Sequence, residues 1–233
     1  MNTRATLEKR PADVAAMFDE VAQRYDVMNV VMTGGLERWW RRQVTATLAP
    51  RRGERVLDLA AGTATSSTAF ARSGATVVGA DFSLGMLRAG RSRGVRLPLV
   101  AGDGLRLPFR DEAFDAVTVS FGLRNVLDVD ACLRELLRVT RPGGRLLICE
   151  VSRPGTPALR KGHELWLRRG LPLLSRLVSS DPAAYSYLVE SMLAWPSQTA
   201  LAERIKAAGW ADVAWRDLTV GVVALHSAVR PLS

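Results

Sequence analysis

Four short apolar runs in this chain each carry, at or next to their end, a residue that can hold a polar ligand. VLDL carries Asp58, TVVGAD ends on Asp81, LPLVAGD on Asp103 and DAVTVS on Ser120. After the first run comes AAGTATSS, a stretch with almost no side-chain bulk, in which Gly62 lacks the Cβ that would hold a ligand off the backbone. In a doubly wound sheet, ligands lie outside the carboxyl ends of the strands, so all of these residues belong to one rim. A carboxylate about 20 positions after such a loop suits ribose hydroxyls, which is the role expected for Asp81. Asp103 is placed to meet an adenine amino group, with Ser120 beside it.

What the rim lacks narrows the ligand. There is no GK[ST], so the loop is not a phosphate cradle, and no GxGxxG dinucleotide pattern. An acidic rim without a phosphate cradle fits a nucleoside that carries no phosphate, and better still one with positive charge. S-adenosylmethionine, an adenosine bearing a sulfonium and an amino acid, is such a ligand. Small residues also serve tight helix–strand packing, and a single strand-end acid is often only solvated. Recurrence at consecutive strand ends is what favours a site.

The elements that position this rim follow from hydrophobic period. From Arg55 onward, short β-branched runs alternate with helical stretches: RVLDLA, a helix from about Thr65 to Arg72, ATVVGAD, a helix from about Ser83, LPLVAGD, AFDAVTVS, a helix around Val129 to Val139, and GRLLICEV. That alternation predicts βαβ units in an α/β fold, a mostly parallel sheet with helices on both faces. Before it, Val14, Met17, Phe18 and Val21 mark a helical face, and a Gly-Gly break precedes a Trp- and Arg-rich helix ending near Pro50. From about Ala158 to Ala208 the chain reads as helices. ADVAWRDLTVGVVALHSAV then predicts a terminal hairpin about Thr219–Gly221. The expected organisation is a single domain over 1–233: a helical cap (1–50), a cofactor-binding core (51–157), a helical lid (158–210) and C-terminal strands (211–233). Strand order does not follow from these patterns.

Composition bounds the remaining classes. The chain has 233 residues, 48% hydrophobic, enough for one sizeable core. The N-terminal residues lack the apolar stretch of a signal peptide, and no apolar run approaches the roughly 18 residues of a membrane span. A cytoplasmic protein, peripheral at the inner membrane face if attached at all, is expected. Cys132 and Cys149 sit in a helix and a strand pattern outside any metal-ligand cluster, so buried free thiols are expected and no metal is implied. The net charge of +9 is nearly all arginine, which fits an anionic partner surface or simply GC-rich codon usage. A nucleic-acid methyltransferase is disfavoured, because no [DN]PP[FYW] stretch, Pro-Cys context or basic RNA-binding appendage is present.

VLDLAAGT, GADFS and RVTRPGGRLL resemble the class I SAM-dependent methyltransferases, with their Rossmann-like fold. YDVMNVVMTGGLERWW, SFGLRNV, RVTRPGGRLLICEVSRP and LTVGVVALH resemble, more narrowly, the UbiE/MenG/Coq5 family of quinone-biosynthesis C-methyltransferases, from about Val14 to His226. The resemblance implies a seven-stranded sheet whose last strand is antiparallel, with S-adenosylmethionine contacts at Thr63, Asp81, Asp103, Gly104 and Ser120, joined here by Asp58 and Gly62. The family loop usually reads GGTG, whereas Ala61 and Ala64 stand in this chain where glycines are common. The acceptor it implies is a polyprenylated quinol ring, most simply demethylmenaquinol. A benzoquinol, a soluble aromatic natural product, or a non-catalytic lipid-binding role are the alternatives.

C-methylation needs an electron-rich ring carbon. A phenol-like hydroxyl titrates near ~10, roughly three units above neutral pH, so favouring the phenolate removes about 4 kcal/mol of barrier. Arg124 and Asn125, in SFGLRN, follow the fourth strand and are expected over the methyl group; Arg124 would stabilise phenolate but, always protonated, is no base at rest. Tyr25 and Asn29, in YDVMN, are candidates for the opposite wall, or for packing. His226 has the pKa of a base but the placement of a structural residue. Trp39 and Trp40 with Arg38, Arg41 and Arg42, and Trp166 with Arg160, Lys161, Arg168, Arg169 and Arg176, suit an anionic membrane surface or a basic lid. The oligomeric state is not legible.

Overall fold

In a computed structural model, the described residues are 11–23, 25–171 and 182–232, and the side chains of residues 11, 21, 25 and 182–186 fall outside them. Three helices open the fold: α1 (Pro11–Val21), α2 (Tyr25–Thr33) and α3 (Leu36–Leu48). The alternating core follows as β1 (Arg55–Leu59), α4 (Thr65–Ala71), β2 (Thr76–Asp81), α5 (Leu84–Ser92), β3 (Leu99–Ala101), β4 (Phe114–Ser120), α6 (Val129–Val139) and β5 (Thr140–Val151). Then come α7 (Pro157–Leu165), α8 (Pro182–Ala194), α9 (Gln198–Ala207), β6 (Ala211–Leu218) and β7 (Val223–Val229). Helix starts sit where small polar caps stand. Ser83 accepts from the Met86 amide (3.1 Å) and Asp128 from the Ala131 amide (3.0 Å).

The strands form one sheet in the order β3-β2-β1-β4-β5-β7-β6. β1 pairs parallel with both β2 and β4, and β7 runs opposite to the other strands, antiparallel to both β5 and β6. The expected mostly parallel seven-stranded sheet and terminal hairpin are both found, with a 3₁₀ turn at Thr219–Gly221 between β6 and β7. The order in which strands are added reverses between β1 and β4, so this is the crevice where an α/β sheet binds its ligand.

Period-2 alternation divides the core between two faces. Val56, Val77, Ala116, Leu147 and Cys149 pack with Trp40, Val44, Leu48 and Phe70 of α3 and α4. Leu57, Val117, Val119, Leu146 and Ile148 pack with Leu133 and Leu136 of α6 and Leu201 and Ile205 of α9. Both faces being covered is why these strands read as unbroken apolar runs rather than alternating ones. Cys132 and Cys149 are buried free thiols, as expected, and burial pushes the Cys132 thiol up to about 12.

The N-terminal cap is fastened over the sheet's carboxyl edge by polar contacts. Asp19 of α1 accepts from the Ser83 hydroxyl (2.5 Å) and the Gly85 amide (2.8 Å). Asp26 of α2 accepts from the Thr63 hydroxyl (2.9 Å) and pairs with Arg93. Among the described residues, no helix is long and apolar enough to cross a membrane.

Candidate active site

The loops after β1 and β4 meet because Leu59 and Val119 are register partners. Both strands leave the sheet through a non-glycine residue in the left-handed region, Ala60 (φ 56°) and Phe121 (φ 56°). Each costs about 1–2 kcal/mol, strain that collects where a backbone must turn sharply beside a ligand. Gly122 completes the crossing: a Cβ there would stand 2.2 Å from the Cβ of Ala60. The β1 loop is then held by Asp81. One of its oxygens accepts from the Gly62 amide (2.8 Å) and the other from the Ser83 amide (2.9 Å). Burial nonetheless raises its carboxyl to about 6, because it lies only 5% exposed.

Two cavities open at this crossing. The smaller, about 270 Å³, is lined by Leu59, Ala60, Phe82, Val119 and Leu127, with Asp103 and Gly104 at one end. An apolar slot with one carboxylate suits a flat heteroaromatic ring carrying an amino group. A side chain at position 104 would press within 3.2 Å of both Leu59 and Cys132, so glycine keeps that wall back. The larger cavity, about 540 Å³, begins at Asp58, Gly62, Thr63 and Ser120 and runs outward between α2–α3 and α7–α8. Asp58 is 1% exposed; burial lifts its carboxyl to about 7, against a 2.6 Å hydrogen bond from the Ser67 hydroxyl. The buried Ser120 hydroxyl has no hydrogen-bond partner among the described residues. An orphaned hydroxyl beside bare loop backbone and an apolar slot fit S-adenosylmethionine, its amino-acid end in the larger cavity and its adenine in the smaller. Ala61 and Ala64 do not fill this space: Ala61 lines the larger cavity, and Ala64 (φ 59°) turns into α4.

The larger cavity is mostly apolar, with Trp40, Phe121, Val151, Leu167, Leu171, Leu188 and Met192 among its walls. A buried cation is built into its wall. Arg124, 5% exposed, donates from Nη1 to Glu150 Oε1 (2.6 Å) and to the Phe121 carbonyl (2.7 Å). Its Nε hydrogen has no partner among the described residues. Asn125, the next residue, faces the smaller cavity and receives the Tyr187 hydroxyl on Oδ1 (3.1 Å). Burial raises that Tyr187 hydroxyl further above its usual range.

The expected site residues are thus brought together with different tasks. Asp58, Gly62, Thr63, Ser120, Arg124 and Asn29 line the larger cavity, and Asp103, Gly104 and Asn125 the smaller. Asp81 lines neither; it holds the loop. Tyr25 opens α2, its side chain outside the described residues. His226 is removed from the site. It is 2% exposed, stacked on Trp215 at 6.1 Å, with Nε2 3.0 Å from the Gln198 carbonyl oxygen. Trp40 is likewise not a surface residue: it is buried and donates to Thr219 Oγ1 at 2.8 Å, while Arg41 turns toward the larger cavity. Trp39, Arg38 and Arg42 remain exposed, as do Trp166, Arg160, Lys161, Arg168 and Arg169; Arg176 lies outside the described residues.

Three residues of this region were not singled out in the sequence: Glu150, Tyr187 and His163. Glu150 ends a strand as the other rim acids do, in LLICEV, which was the available signal. Tyr187 and His163 come from the lid, where helical period fixes no partner across the fold.

Comparison with known proteins agrees with this geometry. Residues 4–230 match the model of the ubiE/COQ5 methyltransferase family. The chain belongs to that family. Among its relatives, the demethylmenaquinone methyltransferase of Mycobacterium sp. (strain KMS) is 58% identical over 98% of this chain and 99% of its own. That of Streptomyces avermitilis is 58% identical over 96% of this chain and 97% of its own. The fold is that of SAM-dependent methyltransferases at large. One from Thermotoga maritima superposes with a TM-score of 0.66 at 17% identity, covering 93% of this chain and 99% of its own. Phosphoethanolamine N-methyltransferase 2 of Haemonchus contortus, in complex with S-adenosylmethionine, gives 0.60 at 16% identity over 82% of this chain and 52% of its own. The fold is therefore shared widely, while membership in the ubiE/COQ5 family extends over almost the entire sequence, cap and lid included.

Proposed function

We propose that this protein is a SAM-dependent C-methyltransferase that converts the ring of demethylmenaquinol to that of menaquinol. The carrying observation is the larger cavity: it runs from the cofactor loop to the surface, is walled mostly by apolar side chains, and has one buried, ion-paired arginine in its wall. The names of the full-length relatives support the naphthoquinol over a benzoquinol.

S-adenosylmethionine supplies an electrophilic methyl group on its sulfonium when bound. Asp58, Ser120 and the Gly62–Thr63 backbone are the residues that hold its amino-acid end. Phe82, Asp103, Gly104 and Leu127 hold its adenine, and Asp81 keeps the loop shaped for both. The apolar walls exclude water and position the ring, so that reaction within the cavity is effectively intramolecular. Arg124 presents a fixed positive charge to the oxygen that becomes phenolate, and Glu150 fixes its direction.

The cavity mouth supports delivery from a membrane. Val31, Leu36 and Trp166 line the cavity and are also among the exposed large side chains, with Val27, Trp39, Leu159 and Leu165 nearby in sequence. Arginines and a lysine flank them on α3 and α7. An apolar rim with basic flanks suits an anionic bilayer surface, where the isoprenoid tail stays while the ring enters. Flotation with vesicles containing anionic lipid tests this. Association at low salt, weakened by Trp39→Ala with Trp166→Ala, is expected; none at low salt contradicts it.

The function itself is tested by incubating the protein with S-adenosylmethionine and a reduced demethylmenaquinone, with the benzoquinol counterpart in parallel. Ring methylation of the naphthoquinol is expected. Methylation of only the benzoquinol, or of neither, overturns the assignment.

A further inference from the structure

Arg124 cannot take a proton, and His226 is remote from the cavity. The chain has one other histidine. His163 lies on α7 and lines the larger cavity, whose walls also include Ser120 at the end of β4 and Arg124 in the turn that follows. It is half-buried, so one part of the ring faces the cavity interior while a route to solvent remains. No hydrogen bond or ion pair holds either of its ring nitrogens among the described residues.

On the reading of this cavity as a quinol-methylation site, we infer that His163 is the general base that removes the proton from the ring hydroxyl. The O–H bond of the quinol breaks and an N–H bond forms on the imidazole. The phenolate so formed lies against Arg124 and directs its electron pair through the ring to the methyl group, whose bond to sulfur breaks as the new C–C bond forms. The ring carbon then loses its proton and the oxygen regains one, restoring the quinol. One proton remains in net, and the imidazolium releases it to solvent at the half-exposed edge.

Burial lowers the His163 pKa from its ordinary value, opposed weakly by Glu164 on the same helix. The imidazole is therefore neutral at pH 7 and ready to accept. Other charged groups lining the cavity are Glu37 and Arg41 from α3, Asp58 from β1 and Arg124 with its partner Glu150. Of these Asp58, raised to about 7, is the competing titratable group. The two differ in position: Asp58 sits at the cofactor end and is bonded to Ser67, whereas His163 is on the lid.

The test compares wild type with His163→Asn, His163→Gln and His163→Ala, using reduced demethylmenaquinone and S-adenosylmethionine from pH 5 to 9. General-base removal is worth roughly 10²–10⁴-fold. A fall in kcat of about 100-fold or more at pH 7 is expected in all three. S-adenosylmethionine affinity by calorimetry and the melting temperature should stay near wild type. The ascending limb of the wild-type profile should vanish, and added imidazole should restore rate to His163→Ala. With two histidines in the chain, the imidazole proton resonances supply a direct titration. One, absent from His163→Asn, should titrate below 6.5 and shift when quinol is added. A wild type that methylates no quinol overturns this proposal together with the functional reading beneath it. A wild type that is active while the variants keep its rate and limb overturns the base alone, and an unrescued His163→Ala does the same.

Discussion

The Arg124–Glu150 pair gives the sharpest handle on the site. Its partners are 5% and 1% exposed and 2.6 Å apart, so both charges have lost nearly all of their water. Removing one partner of such a pair costs about 3–5 kcal/mol, because the other is left charged and buried. Arg124→Met leaves Glu150 with the Val151 amide (2.9 Å) and the Arg124 amide (3.3 Å), which places the loss near the lower figure, about 3 kcal/mol. For a chain of this length, that is a fall in Tm of roughly 6–12 °C. Arg124→Met with Glu150→Leu removes both charges and should recover most of the stability, since replacing a buried pair by apolar groups is often neutral. Activity should not follow stability. Both variants lack the charge facing the ring oxygen, so turnover should fall more than tenfold in each while S-adenosylmethionine still binds. Thermal unfolding at pH 7 beside methyl transfer separates the two effects. An Arg124→Met protein melting within 2 °C of wild type would show that the pair is not desolvated. A double variant with restored turnover would remove the guanidinium from the chemistry.

Other sites allow briefer tests. Asp58 has a folded pKa raised to about 7 against 3.8, so its stabilising contribution is full below pH 3.8 and is lost by the time pH passes 7. Wild type should therefore lose stability relative to Asp58→Asn between pH 4 and 8, by up to about 4 kcal/mol; a pH-independent difference in denaturant midpoints contradicts this. Gly122→Ala places a Cβ 2.2 Å from that of Ala60. It should destabilise by about 1–3 kcal/mol and weaken cofactor binding, with unchanged unfolding and titration curves as the opposing result. Ala64→Gly places glycine at a left-handed position (φ 59°) and should raise stability by about 1 kcal/mol in urea unfolding; no gain would mean that the turn carries no strain there.

Much of the fold was legible because the sheet is covered on both sides. Its strands are short apolar runs, and the polar residues that interrupt them had to be either strand ends or caps. Asp58, Asp103 and Ser120 were found in that way, and Val129–Val139 was bounded on both sides by its period. Strand order was not legible, since β7 inserts between β5 and β6 through contacts that no local pattern encodes. Asp81 shows a subtler limit. Its spacing from the loop marked it as a ligand acceptor, yet the same spacing lets its oxygens take the loop's own amides. Trp39 and Trp40 were indistinguishable as neighbours, but on a helix adjacent residues point about 100° apart, so one is exposed and the other meets Phe121 in the core. Residues contributed by the lid were missed because their partners lie far away in sequence. Tyr187 meets Asn125 across 62 positions.

The most direct measurement is a structure of this protein holding S-adenosylhomocysteine and a short-chain demethylmenaquinone. The adenine should lie in the slot between Phe82 and Leu127 with its amino group at Asp103. The naphthoquinone ring should sit in the larger cavity with one oxygen toward Arg124, its chain leaving past Val31, Leu36 and Trp166. A ring bound outside that cavity, or an adenine that leaves the Asp103 slot empty, would contradict it.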